Sequence, residues 1–155
     1  MMRRAAPVMI ELEFRVDGAE WSQLPELEPT CRAALEAGAA VAGLRGEVSL
    51  LLCSDPAIQA LNATWRGKDR PTDVLSFPAA VEDRPFLGDI AVSFGVARRD
   101  AEDRGIELGQ HLSHLLIHGL LHLAGYDHID EPDATEMEAL EIEALASLGW
   151  PDPYR

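Results

Sequence analysis

Between residues 8 and 16, Val8, Ile10, Leu12, Phe14 and Val16 alternate with Met9, Glu11, Glu13 and Arg15. This period of two predicts a strand with one buried face. Asp17-Gly18 turns the chain, and the alanine-rich run from Pro25 to about Val41 predicts a helix closing near Gly43. Glu47 to Cys53 is short and almost wholly apolar, as expected of a buried strand. Asp55 before Pro56 is expected to cap a helix that carries Ile58, Leu61 and Trp65 on one side and stops around Gly67. Val74 to Pro78 and Leu87 to Val92 predict a pair of short strands. Phe94 to Arg104 then predicts a helix ended by Gly105. Gln110 to Ala124 predicts a strongly apolar helix with Gly125 at its end. Asp133 to Leu148 predicts an acidic amphipathic helix with Met137, Leu140, Ile142, Leu145 and Leu148 inward. Pro132 precedes it and Gly149-Trp150-Pro151 follows.

Strands concentrated in the first half and helices in the second predict an α+β fold: a small mixed sheet of about four strands with about five helices packed on it. No repeat, linker or low-complexity tract interrupts the 155 residues, so one domain over residues 1–155 is expected. No apolar run approaches the roughly 20 residues of a membrane span. Arg3 and Arg4 precede only a six-residue stretch, Ala5 to Ile10, before Glu11, which is too short for a signal-peptide core. Cys31 and Cys53 are too few and too isolated for a disulfide framework, so a cytoplasmic, reducing setting is expected.

Charge complicates any choice of partner. The net charge is −14, and residues 105–154 contain ten acids and neither Lys nor Arg. That region repels an anionic polymer, which could approach only through basic spots in the first two thirds of the chain.

The candidate chemistry lies on the apolar helix. His118 and His122 stand four apart on one face, Gly125 follows three residues later, and His128 three after that. Three protein ligands with an open fourth position is the pattern of a catalytic zinc site. His111 and His114 share the stripe, but ligands at 114, 118 and 122 would span about 12 Å of straight helix. Imidazoles on one zinc sit only about 3.4 Å apart. The third ligand must therefore come from chain that turns back, which Gly125 permits. This gives His118, His122 and His128 as metal ligands, with His111 and His114 expected as satisfied structural residues and His114 as a candidate to back a ligand. Asp127 either orients a ligand imidazole or caps the turn. The H-x3-H-x5-H spacing fits the metzincin pattern except at Gly119, where those proteases carry their glutamate base. Glycine cannot take a proton, so the usual zinc-peptidase mechanism lacks its base.

The run His118-Gly-x-Leu-His122-Leu-x-Gly125-Tyr126-Asp127-His128 resembles the signature of the YbeY endoribonucleases, bacterial rRNA maturation factors. A second block, Asn62-x-x-Trp65-Arg66-x-Lys68-x-x-Pro71-Thr72-Asp73-Val74-Leu75-Ser76-Phe77-Pro78, agrees, as does Leu87-Gly88-Asp89-Ile90. Glu136-Met137-Glu138 is compatible and less specific. The likeness covers roughly residues 45–148, and Trp65 stands where the family more often has tyrosine or phenylalanine. It implies a zincin-like metallohydrolase arrangement and a single-strand-specific, metal-dependent endoribonuclease acting in 16S rRNA 3′-end maturation and ribosome quality control. It implies one zinc ion on His118, His122 and His128, with Arg66 as the functionally important arginine.

Arg66, Lys68 and Arg70 then form the basic spot that admits RNA. Arg66 would hold phosphate through a two-pronged guanidinium contact, with Lys68 and Arg70 binding substrate beside it. The implied partners are single-stranded rRNA and the small ribosomal subunit with its proteins, whose basic members suit the acidic half of the chain. Two other readings stand beside this one: a ribosome-assembly factor with a structural metal and no catalysis, and a zinc metalloprotease lacking the usual glutamate.

Overall fold

The computed structural model describes residues 8–127 and 129–155. Four strands, β1 (Ile10–Val16), β2 (Gly46–Cys53), β3 (Val74–Pro78) and β4 (Phe86–Ser93), form one sheet in the order β1-β2-β4-β3. β1, β2 and β4 run parallel, while β3 pairs antiparallel with β4 and forms an edge. Five helices complete the α+β fold: α1 (Leu27–Ala42), α2 (Asp55–Arg66), α3 (Phe94–Arg104), α4 (Leu108–Leu123) and α5 (Glu131–Ser147). Among the described residues, no helix is long and apolar enough to cross a membrane.

The hydrophobic pattern decides how the layers stack. Val48, Leu50 and Leu52 on β2 and Ile90 and Val92 on β4 point into a large core shared with α1, α4 and α5. On the opposite face, Leu75 and Ala91 meet Ile58 of α2 in a smaller cluster, with Leu51, Leu61 and Phe77 at its margin. β2 turns Val48, Leu50 and Leu52 to the large core, while its other face is apolar only at Leu51 and Cys53. β1, at the other edge, keeps the expected alternation at Ile10, Leu12 and Phe14, but Val16 is exposed.

α4 runs through the middle of the helical layer and touches α1, α3, α5, β3 and β4. Leu112, Leu115, Leu116, Ile117, Leu120, Leu121 and Leu123 are all buried along it. At about 2 kcal/mol for each such side chain, as an upper estimate, their burial anchors α4 by of order 10 kcal/mol. Whatever α4 carries on its remaining face is held rigidly.

Two local expectations are corrected. Ser54, not Asp55, caps α2: its side chain accepts from the Ala57 backbone N–H, and Pro56 falls in the first turn. Asp55 is freed to accept from the Val96 backbone N–H and the Arg99 guanidinium, tying α2 to α3. Pro132 likewise lies inside the first turn of α5, with Asp130 at the cap. A 3₁₀ turn over Ala19–Gln23, which no periodicity announces, buries Trp21 completely against Phe94, and its indole N–H donates to the Cys53 carbonyl at 2.9 Å. Cys31 and Cys53 are buried thiols.

Candidate metal centre and basic cleft

His114, His118 and His122 lie on the face of α4 that the apolar residues leave over. The Nε2 atoms of His118 and His122 approach to 3.0 Å, with their rings nearly perpendicular. Each ring's other nitrogen faces an oxygen: His122 Nδ1 lies 3.0 Å from the Tyr126 carbonyl, and His118 Nδ1 lies 3.4 Å from Glu141 Oε1. A carbonyl or carboxylate at Nδ1 fixes the proton there and leaves Nε2 with its lone pair. Two imidazole lone pairs aimed at one point, at a spacing close to the roughly 3.4 Å between ligands on tetrahedral zinc, fit a metal ion. His128 lies outside the described residues. The turn that leads to it is present: Gly125 adopts φ 96°, a left-handed conformation that suits glycine, and the Tyr126 N–H returns to the Leu121 carbonyl.

His114 does not join that pair. Its Nε2 meets the carboxylate of Glu141, whose Oε2 also accepts from the Tyr154 hydroxyl at 2.9 Å. Glu141 is the residue that sequence reading missed. It is 1% exposed on the inward face of α5, whereas its neighbours Leu140 and Ile142, expected inward, are only half-buried. Burial pushes its carboxyl up, but hydrogen bonds from His114 and His118 and their charge outweigh that and bring it down to about 2. Burial and the adjacent Glu141 push the Tyr154 phenol upward. The available signal was spacing: Met137, Glu141, Ala144, Leu145 and Leu148 follow helical periodicity, and an acid in that stripe needs a partner.

His111 corrects a second expectation. It is 1% exposed, yet neither ring nitrogen has a hydrogen-bond partner among the described residues, so it is not a satisfied core histidine. Burial foremost, with the nearby Arg104 charge, holds its pKa down at about 4, so the ring is neutral. Asp127 accepts from the Ile129 backbone N–H at 3.1 Å, which is the turn-capping contact.

Beside the histidine pair a cleft of about 620 Å³ opens. Arg66, Lys68, Arg70 and the segment from Pro71 to Ser76 line it, together with His118 and His122. Arg66 ends α2, where Gly67 turns the chain with φ 69°, and its guanidinium donates to the Ser76 carbonyl of β3 and stacks over Phe77 at 5.4 Å. One donor holds the fork in place while others remain for a ligand. Asn62 fixes the loop by donating to the Arg70 carbonyl at 3.0 Å.

Gly119 owes its identity to packing. A Cβ there would lie 3.0 Å from Ser76 Oγ and 3.3 Å from Ile90 Cγ2, because α4 presses on β3 and β4 at this point. Ser76 Oγ donates to the Gly119 carbonyl at 3.2 Å and seals the contact. The position where a zinc peptidase carries its base is a helix–sheet contact with no room for a longer side chain.

The fold and cleft define a class: an α+β protein whose central helix offers paired imidazoles, fit for a metal, to a cleft rimmed by three cationic side chains. Residues 17–149 match the sequence model of the family described as YbeY, Endoribonuclease YbeY. An Endoribonuclease YbeY of Rhodopseudomonas palustris (strain BisB18) is 47% identical over 144 residues, covering 86% of each chain. That of Erythrobacter litoralis (strain HTCC2594) is 46% identical over 156 residues, covering 94% of this chain and 95% of the relative. The solution structure of TM1509 from Thermotoga maritima superposes with a TM-score of 0.58 at 29% identity, over 95% of this chain and 99% of that one. The chain belongs to the endoribonuclease YbeY family.

Proposed function

We propose that this chain is a single-strand-specific, zinc-dependent endoribonuclease of one domain, acting in 16S rRNA 3′-end maturation and ribosome quality control. The observation that carries the reading is the convergence of His118 and His122 Nε2 at 3.0 Å on a cleft rimmed by Arg66, Lys68 and Arg70. His118, His122 and His128 would hold one zinc ion. When bound, zinc supplies Lewis acidity toward the phosphodiester and its nucleophile.

The chain's own groups do the rest. Glu141 and the Tyr126 carbonyl face Nδ1 of the two ligand rings and favour the tautomer that turns the Nε2 lone pair toward the ion. The Arg66 guanidinium, already fixed by Ser76 and Phe77, offsets charge that builds on the phosphorus oxygens. Lys68 and Arg70 hold flanking phosphates. A cytoplasmic setting accords with two buried free thiols, and the small ribosomal subunit is the proposed docking partner.

Purified, metal-loaded protein is expected to cut a single-stranded rRNA fragment and spare duplex. His118→Ala and Arg66→Ala should each lower the rate by 100-fold or more, on the order of one lost electrostatic contact in a transition state. Products ending in 5′-phosphate indicate attack by water; 2′,3′-cyclic ends indicate the substrate's 2′-hydroxyl. A wild-type protein inert on RNA yet bound to small-subunit precursors would replace this reading with the assembly factor, and release of peptides from casein would restore the protease.

A further inference from the structure

We propose that Asp73, Asp100 and His111 form a second divalent-cation site, separate from the histidine pair, that fastens the wall of the cleft to the helix carrying His118 and His122. The three side chains come from different parts of the chain: Asp73 from the loop before β3, Asp100 from α3 and His111 from the first half of α4. One ligand atom from each lies within 4.8 Å of the others. His111 Nε2 is 4.0 Å from Asp100 Oδ2, too long for a hydrogen bond and suited to an interposed ion.

The buried ring is the independent observation. His111 is a polar side chain 2% exposed, with neither nitrogen hydrogen-bonded among the described residues, and its Nε2 faces the Asp100 carboxylate in a cluster that Asp73 completes. Leaving such a group unsatisfied is costly. A water molecule at Nε2 would leave the two acids facing each other, whereas a cation there engages the same nitrogen and also offsets their charge. The electrostatics agree: burial, and then the charge of Asp73, raise the Asp100 carboxyl, which Arg104 and Arg99 offset only in part. The low pKa of His111 keeps its lone pair available at neutral pH.

Two carboxylates and one imidazole are an oxygen-rich set of the kind that suits manganese(II) or iron(II) in six-fold coordination. At ligand distances of about 2.2 Å, neighbours on an octahedron lie about 3 Å apart and opposite positions about 4.4 Å, so closure from 4.8 Å needs only small side-chain movements. The consequence reaches the cleft because of how the loop is tied. Asp73 Oδ1 accepts from the Val74 N–H, the Asp73 carbonyl accepts from the Ser93 N–H, and the Ser93 hydroxyl donates to the Thr72 carbonyl. A cation on Asp73 would cross-link this cleft-lining segment to α3 and α4. The site stands two helical turns from His118, about 10 Å along α4, too far for the two ions to share a substrate oxygen.

The test uses manganese(II) alone as probe, followed by its electron paramagnetic resonance signal, on full-length protein carrying His118→Ala and His122→Ala. One ion per chain is expected to remain bound, and to raise the melting temperature by several degrees at saturation. Adding Asp100→Asn should weaken that binding at least tenfold, and adding His111→Phe, which fills the apolar surroundings, should abolish it while leaving the chain folded. No saturable binding in the double-alanine protein, or binding unchanged by Asp100→Asn, overturns the proposal. If His111→Phe fails to fold, the Asp100→Asn titration decides alone. Cleavage activity is not the readout, so failure here is distinguishable from failure of the endoribonuclease reading.

Discussion

Glu141 gives the sharpest test of how the centre is held. Its carboxylate, 1% exposed, takes contacts from His114, His118 and Tyr154. A hydrogen bond to a charged group contributes about 1.5–3 kcal/mol, and the two closer contacts together would give about 3–6. Alanine also removes a buried charge whose desolvation cost several kcal/mol, which offsets part of that sum. A net loss of about 3 kcal/mol is expected for Glu141→Ala, in line with breaking a buried ion pair. With a urea m-value of about 2 kcal/mol/M, the unfolding midpoint should fall by about 1.5 M. Glu141→Gln keeps one acceptor and should lie between. Because the carboxylate also orients His118, zinc affinity should drop about 10- to 100-fold. A Glu141→Ala protein whose midpoint stays within about 0.5 M of the parent, with unchanged zinc affinity, would refute the claim that this carboxylate organises the site.

Other outcomes follow from the same geometry. Gly119→Ala sets a helix-propensity gain of about 1 kcal/mol against crowding by Ser76 and Ile90, so its stability should stay near the parent's. Gly119→Glu has no such exit and should lose several kcal/mol or fail to fold; a stable, soluble Gly119→Glu would contradict the packing account. Removing Lys68 and Arg70 together should reduce the slope of log affinity for single-stranded RNA against log salt by about 1.4, and an unchanged slope would show that neither meets phosphate. Burial, helped by Asp17 and Asp55, pushes Cys53 up to about 11; burial, helped by Glu28, pushes Cys31 up to about 12. The unfolded chain therefore sheds thiol protons from about pH 9 while the folded one keeps them. Stability should be full below that pH and fall above it by about 1.4 kcal/mol per unit for each thiol. Urea midpoints at pH 8 and 10 should show a shallower drop in the double Cys→Ala variant, and equal drops would rule the thiols out.

How much of this was legible beforehand divides along physical lines. Strand and helix placement followed from apolar period, and Val74–Pro78 and Phe94–Arg104 fall on their predicted bounds, with a polar loop and Pro78 marking the strand and Gly105 ending the helix. Caps were harder, since Ser54 and Asp55 are both good caps and only the tertiary claim of Val96 and Arg99 on Asp55 decides between them. The pairing of His118 with His122 was readable because four residues on a helix fix side-chain proximity. Glu141 was not, because an acid in an acidic helix reads as solvent-facing until its partners on another helix are known. Nor was the plight of His111, which depends on three segments meeting far apart in sequence.

The position of β3 has a consequence for what this cleft admits. An edge strand beside a metal centre is where peptidases lay an extended substrate, recruiting it as one more strand. Here the carbonyl of Ser76 is occupied by the Arg66 guanidinium, and Pro78 has no N–H to donate at the end of the strand. Two of the positions a backbone partner would use along this edge, whether a peptide or another copy's strand, are thereby withdrawn. A ligand entering the cleft meets mainly side chains, and three of those that line it are cationic. The hydrogen bond that fixes the arginine in place thus also takes one acceptor away from the open side of the strand.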